Sequence, residues 1–145
     1  MKKIEQMLNK EVANLAVLYV KLHNYHWYVK GPEFLTLHPK FEELYDSVTE
    51  LYDVIAELLL GLGLSPVANL KNSLDLASIS EASGNLSAFE MCKSIADDFK
   101  ILIVEFKEAI EVADKAGISQ VSDVLTPQIT ELGKQIWILT ALTSK

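Results

Sequence analysis

Apolar residues recur every three or four positions in four long segments of the chain, a spacing that is typical of amphipathic α-helices. The first segment has them at Ile4, Leu8, Val12, Leu15, Tyr19 and Leu22; the others span 37–62, 89–110 and 121–142. No segment alternates apolar and polar residues as a half-buried strand does. The sequence therefore predicts an all-α fold.

The turn signals between these segments predict how the helices connect. Gly31-Pro32 separates the first two segments, and Gly117 separates the last two. The connection between the second and third segments is longer, from about residue 65 to 85, and "NLKNSLDLAS" within it predicts a short helix. A capping box, Ser87-x-x-Glu90, marks the start of the third helix. A four-helix bundle with one long connection is the ferritin-like arrangement.

Two prolines fall inside the predicted helices. We expect Thr36 to be the N-cap of the second helix, which places Pro39 in the first turn, where its missing N–H costs nothing. Pro127 is expected to kink the fourth helix or to shorten its start.

Charge and composition exclude some classes of function. The net charge is −7 and all thirteen basic residues are lysines, which argues against a groove that grips phosphates bidentately. Direct DNA binding is therefore not expected. No apolar run reaches the ~18 residues of a membrane span, and the amphipathic N-terminus does not resemble a signal peptide. With one cysteine, Cys92, the sequence favours the cytoplasm and no membrane partner.

All three histidines lie within residues 23–38, ahead of a run of carboxylates on the second helix. His38 and Glu42 are i, i+4 neighbours, and so are Asp53 and Glu57, so either pair could hold a cation. The alternative for the carboxylates is a solvated acidic surface, and for His26 a histidine of the core. We interpret His23 as structural.

The spacing decides where such a metal site could lie. Asp53 and Glu57 are roughly 16–22 Å further along the helix axis than Glu42, so they cannot share an ion with His38 of the same subunit. A two-fold axis near residue 48 would bring the two ends of the helix together across two subunits. A metal site should therefore lie between subunits, and its mixed imidazole and carboxylate ligands suit iron, zinc or manganese.

Two stretches carry a family resemblance. "HWYVKGPEFLTLHPKFE" has His26-Trp27, Gly31, Leu37-His38 and Glu42 at the spacing of the first signature of the Dps proteins. These are DNA-binding proteins from starved cells, or mini-ferritins. "YDVIAELLLGLGLSP", residues 52–66, resembles their second signature. The resemblance continues in "NKEVANLAVLYVKLHNYHW", "ADKAG" and "KQIWILTAL".

The resemblance implies that residues 1–145 are a single ferritin-like (Dps) domain that assembles into a hollow homo-dodecamer. It implies a ferroxidase that binds Fe²⁺ between subunits, oxidises it with hydrogen peroxide or O₂, stores ferric mineral and so protects DNA. The implied catalytic and metal ligands are His26, His38 and Glu42 of one subunit, with Asp53 and Glu57 of its two-fold mate. Zinc is a possible competitor for this site.

The resemblance also assigns residues outside the ligand set. Trp27 and Trp137 match aromatic residues that the family keeps near the site. Asp114 and Asp123 align with acids that line the channel through which iron enters, but Ser119 stands where many relatives have a third acid. Slower or less selective iron uptake would follow.

Two further departures bear on assembly and on DNA. Leu58 replaces an arginine of the second signature, so assembly is expected to be weaker or more apolar. The lysine-rich tail of DNA-binding relatives is not found in this sequence, which favours protection through iron chemistry. The alternative functions are a nucleoid protein that coats DNA, and a structural cage or adhesion-type protein with an unused metal site.

Overall fold

The structure of the protein, a computed structural model, describes residues 1–144. It contains five α-helices: α1 (Lys2–Tyr28), α2 (Phe34–Gly61), α3 (Leu70–Leu76), α4 (Ala88–Lys115) and α5 (Ser119–Thr143). None of residues 1–144 lies in a β-strand. The prediction of an all-α, ferritin-like bundle is confirmed, and the short helix α3 lies in the long connection as expected.

The four long helices pack around one apolar core. α1 packs on α2 and α4, α4 packs on α5, and α3 lies against α1. The largest fully buried side chains include Tyr25, Phe41, Phe99 and Phe106. Burying one such side chain contributes about 1.5–3 kcal/mol to stability. The apolar stripes predicted from the sequence are therefore mostly the core, although Tyr19 of the first stripe is 44% exposed.

The ends of α4 follow the sequence signals. Ser87 Oγ accepts a hydrogen bond from the N–H of Glu90, and the Glu90 carboxylate accepts one from the N–H of Ser87, so the capping box is confirmed. At the other end, Gly117 adopts φ +75°, and the next N–H, that of Ile118, donates to the Ala113 carbonyl at 2.9 Å. This left-handed position favours glycine, because it has no Cβ.

The expected start of α2 is wrong. Glu33, rather than Thr36, precedes the first helical residue, Phe34. Pro39 therefore lies in the second turn, where it withholds the N–H that the carbonyl of Leu35 would otherwise accept. Because Leu35 is 85% exposed, water can bond to that carbonyl instead.

The helix α5 begins at Ser119 and continues through Pro127, so the proline does not shorten its start. No helix within residues 1–144 combines the length and the apolar character needed to cross a membrane.

Side chains of α1 fasten the long crossover, residues 62–87, to the bundle. Asn9 Nδ2 donates to the carbonyl of Ser65 at 2.9 Å, and Asn9 Oδ1 accepts from the N–H of Val67 at 2.7 Å. Further along, Lys21 Nζ lies 2.8 Å from the carboxylate of Asp98 on α4, and the same ammonium donates to a crossover carbonyl at 2.8 Å. The crossover is thus held at several points by hydrogen bonds from α1.

Candidate metal centre

The turn between α1 and α2 brings two histidines face to face. His26 lies in the last turn of α1 and His38 in the second turn of α2. Gly31, with φ +98°, allows the chain to reverse between them. The two imidazole rings stack with centroids 3.7 Å apart and an interplanar angle of 13°.

Reciprocal hydrogen bonds fix the orientation of both rings. His26 Nδ1 lies 2.7 Å from the carbonyl oxygen of His38, and His38 Nδ1 lies 2.7 Å from the carbonyl oxygen of His26. A carbonyl oxygen can only accept, so both Nδ1 atoms must carry the proton. In the neutral rings each Nε2 then keeps its lone pair, which is the tautomer that binds a metal through Nε2.

Glu42 extends this pair by one carboxylate. Its Oε1 lies 3.9 Å from Nε2 of His26, which is too long for a hydrogen bond. A divalent ion about 2.1 Å from each atom would hold them up to ~4 Å apart, so the separation fits an ion between them. The His26 side chain is 10% exposed and that of Glu42 is 54% exposed, so the carboxylate is open to solvent beside a shielded ring.

Asp53 and Glu57 lie apart from this group in the single chain. Both are exposed on the later part of α2, which runs without a break from Phe34 to Gly61. At 1.5 Å per residue they are roughly 16–22 Å beyond Glu42 along the axis. No three histidine, cysteine, aspartate or glutamate side chains of residues 1–144 converge closely enough to enclose a metal ion. One chain therefore presents two separate groups of ligand-type side chains.

An aromatic cluster that the sequence did not predict surrounds the histidine pair. The ring of Tyr45 meets that of His26 edge-on, with centroids 5.4 Å apart at 89°. His23 stacks on Tyr45 at 3.7 Å, and its Nδ1 lies 2.6 Å from the carbonyl oxygen of Tyr19. These contacts support the structural interpretation of His23. Tyr45 could have been found from its spacing, since it follows Glu42 by three positions and shares its helix face.

The remaining candidate residues lie at three places. Trp27, 66% exposed, follows His26 and contacts the ring of His23 edge-on at 5.5 Å. Trp137 is 68% exposed on α5. Asp114 and Asp123 are exposed on either side of the α4–α5 turn, and Ser119 begins α5 in the same region. The two acids therefore share one end of the bundle, as a common channel would need.

Comparison with known proteins identifies the family. The family model of the ferritin-like domain matches residues 5–145. The "DNA protection during starvation protein" of Brevibacillus brevis is 50% identical over 135 residues, which cover 93% of this chain and 91% of that protein. The chain belongs to the Dps family.

Solved structures of other Dps proteins have the same fold along the whole chain. Dps from Staphylococcus aureus superposes with a TM-score of 0.97 at 37% identity and covers 100% of this chain and 97% of that one. A Dps protein from Vibrio cholerae O1, described as a member of a superfamily of ferritin-like diiron-carboxylate proteins, gives 0.95 at 31% identity, covering 99% and 90%. The family resemblance of the two signatures is confirmed. The metal-binding roles of the five ligand-type residues stay predictions.

Proposed function

We propose that this Dps-family protein is an iron-storage ferroxidase. It binds Fe²⁺ at a site shared by two subunits, oxidises it with hydrogen peroxide or O₂, and stores the ferric product as mineral inside a hollow dodecamer. The observation that carries the proposal is the histidine pair, whose Nδ1 hydrogen bonds leave both Nε2 atoms free to bind a metal. Family membership supports iron storage and DNA protection in general.

The proposed site completes the histidine pair with carboxylates from a second subunit. His26, His38 and Glu42 supply one half, and the partner subunit's Asp53 and Glu57 supply the other. Hard carboxylate oxygens favour the ferric product over the ferrous substrate. A small number of protein ligands leaves coordination positions for the oxidant. Zn²⁺, which accepts the same nitrogen and oxygen ligands, would compete with the iron substrate.

Iron oxidation of this kind protects DNA because it reduces hydrogen peroxide to water in a two-electron reaction. One hydrogen peroxide takes one electron from each of two Fe²⁺ ions and, with two protons, leaves two Fe³⁺ and two water molecules. Both electrons come from iron, so peroxide is consumed without release of a hydroxyl radical. The protein removes the two reactants of damaging chemistry together, and it does not need to touch the DNA that it protects.

The uptake and assembly features belong to the same proposal. Asp114 and Asp123 would line the channel through which iron enters, with Ser119 weakening its attraction for cations. Leu58, which is partly buried, would leave the subunit contact without the ion pair that an arginine could form. The proposed place of action is the bacterial cytoplasm, whose reducing conditions suit the buried, unpaired thiol of Cys92.

Iron loading followed by a peroxide pulse tests the proposal. The apo-protein is loaded with Fe²⁺ without oxygen, and near-ultraviolet absorbance and particle mass are recorded together after the pulse. We expect fast oxidation, with iron retained in a roughly twelve-subunit particle. The Asp53→Ala/Glu57→Ala variant should lose fast oxidation, whereas Glu108→Ala/Glu111→Ala, which removes the same charge from exposed positions of α4, should keep it. Oxidation no faster than in buffer would contradict the proposal.

The second candidate function, physical coating of DNA, is favoured by the name of the Brevibacillus relative, which refers to DNA protection. The net charge of −7 and a sequence without arginine argue against it, because DNA binding relies on cationic side chains that neutralise phosphates. Gel retardation at several salt concentrations separates the two. We expect no shift of the DNA at any salt concentration, and a salt-sensitive shift would support coating.

A further inference from the structure

A buried polar cluster lies far from the proposed metal centre, where α1, α4 and the crossover meet. Its members are Glu11 and Asn14 of α1, Glu105 of α4 and Ser78 of the crossover, and Lys10 lies at its edge. Glu11 is 1% exposed and Asn14 is 0% exposed. An acidic side chain is almost never buried so completely unless a partner satisfies it. The protonation states of Glu11 and Glu105 in this cluster therefore have to be explained.

Asn14 connects the three elements. Its Nδ2 can donate to Glu105 Oε1 at 2.9 Å, to Ser78 Oγ at 3.0 Å and to Glu11 Oε1 at 3.2 Å. Its Oδ1 accepts from the backbone N–H of Ser78 at 2.8 Å and from that of Ile79 at 3.1 Å. The Asn14 amide thus accepts the hydrogen bonds of two crossover backbone N–H groups, and its orientation is set by two carboxyl groups. Ser78 Oγ also donates directly to Glu105 at 2.8 Å.

The two carboxyl groups have different surroundings. Glu105 accepts from Ser78 Oγ at 2.8 Å and from Asn14, and Lys10 Nζ lies 3.3 Å from its Oε2. Glu11 has the Asn14 amide and the facing carboxyl of Glu105, and no cationic side chain of residues 1–144 forms an ion pair with it. Glu11 is buried and Glu105 is partly buried. Two adjacent carboxyl groups in such a site do not both ionise at neutral pH, and the one with fewer donors keeps its proton. Glu105 is therefore the carboxylate and Glu11 is the acid.

The surroundings of Glu11 raise its pKa, which agrees with Glu11 being the protonated member of the pair. Burial, the hydrogen bond to Glu105 and the charge of Glu105 raise the pKa of Glu11 from 4.5 to about 9. Asn14 and the more distant charge of Lys10 oppose this rise and are the weaker influences. The facing groups of α4 and the crossover are Glu105 and the neutral hydroxyl of Ser78.

We propose that Glu11 and Glu105 share one proton, and that this proton keeps the crossover fastened to the bundle. The Glu11 carboxylic acid donates its O–H to the Glu105 carboxylate. Loss of the proton would place two negative charges side by side in a buried site. The Asn14 amide would then be drawn from its crossover contacts, and the backbone N–H groups of Ser78 and Ile79 would open to water while the four long helices stay folded.

Two measurements on the assembled protein test this inference independently of the iron chemistry. Infrared spectra with isotope-labelled glutamate report the carbonyl stretch of a protonated carboxyl group across a pH titration. Hydrogen exchange, corrected for the intrinsic effect of pH, reports the protection of the Ser78 and Ile79 amides across the same range. The test variant is Glu11→Gln, which keeps the shape and a donor but cannot ionise. Glu108→Gln, an exposed change one turn beyond Glu105, is the matched control.

In the wild-type protein and in the control we expect an acid band at neutral pH that titrates near 9, with amide protection falling at least tenfold over the same interval. The Glu11→Gln protein should have no such band, and its two amides should keep their protection. A wild-type spectrum without the acid band at neutral pH would overturn the shared proton, whether or not the variant folds. If the Ser78 and Ile79 amides of the wild-type protein keep their protection above the titration midpoint, the proton does not hold the crossover to the bundle and that part of the proposal is wrong.

Discussion

Replacing Glu11 by glutamine is expected to stabilise the protein, and the gain should grow with pH. The pKa of Glu11 is raised in the folded protein from 4.5 to about 9. Below pH 4.5 both folded and unfolded chains hold the proton, so the contribution of Glu11 to stability is fully present. Between pH 4.5 and about pH 9 only the folded chain holds the Glu11 proton. Over this interval the free energy of unfolding falls by about 1.4 kcal/mol per pH unit.

The magnitude at neutral pH follows from these values. At pH 7 the wild-type protein has lost about 3 kcal/mol per subunit through this one group, and glutamine, which does not titrate, avoids the loss. The advantage of Glu11→Gln should therefore increase by about 3 kcal/mol between about pH 5.5 and 7.5.

Urea unfolding at several pH values measures this difference. Both proteins must be compared at the same subunit concentration, because assembly contributes to apparent stability. Glu108→Gln, with an exposed carboxylate, should follow the wild-type pH dependence. A difference between Glu11→Gln and wild type that does not change with pH would refute a raised pKa at Glu11. If Glu11→Gln is less stable than wild type at every pH, glutamine does not replace the protonated glutamate in its contacts, and the expected stabilisation is wrong.

Three further substitutions test the packing and the capping of the bundle. Phe106→Ala removes a fully buried ring and should lower the free energy of unfolding by about 3–5 kcal/mol in urea titrations. Lys21→Ala leaves the 7% exposed Asp98 without its cation and should cost about 3–5 kcal/mol in the same assay. Ser87→Ala removes the N-cap of α4 and should cost only about 1 kcal/mol, seen as a small decrease in Tm.

The sequence predicts the helices well because their pattern is local. A 3.6-residue period places apolar side chains on one face, and the capping box and Gly117 set the bounds of α4 through contacts within a few residues. The start of α2 was misplaced because Thr36 resembles an N-cap, whereas the turn after Gly31 already begins the helix at Phe34. Helix bounds depend on such tertiary detail more than helix existence does.

The ligand-type side chains were predictable and their surroundings were not. The spacing of His38, Glu42, Asp53 and Glu57 is read along one helix, and the structure keeps that helix continuous. The reciprocal hydrogen bonds of His26 depend on how two helix ends meet, which no local pattern encodes. The pair formed by Glu11 and Glu105 could not be predicted for the same reason. From the sequence alone Glu11 is expected to be exposed, and it becomes buried only because α4 packs on α1.

The shared site is tested most directly by mixing two inactive chains. One carries His26→Ala/His38→Ala and the other Asp53→Ala/Glu57→Ala, and each alone should fail to oxidise Fe²⁺ rapidly. When the two are co-expressed, subunits pair at random. A mixed two-fold pair then has one intact site and one site that lacks both histidines and both carboxylates of the second half, keeping only Glu42. We predict recovery of about a quarter of the wild-type rate. Mixed particles as inactive as the two parents would contradict a metal site built between subunits.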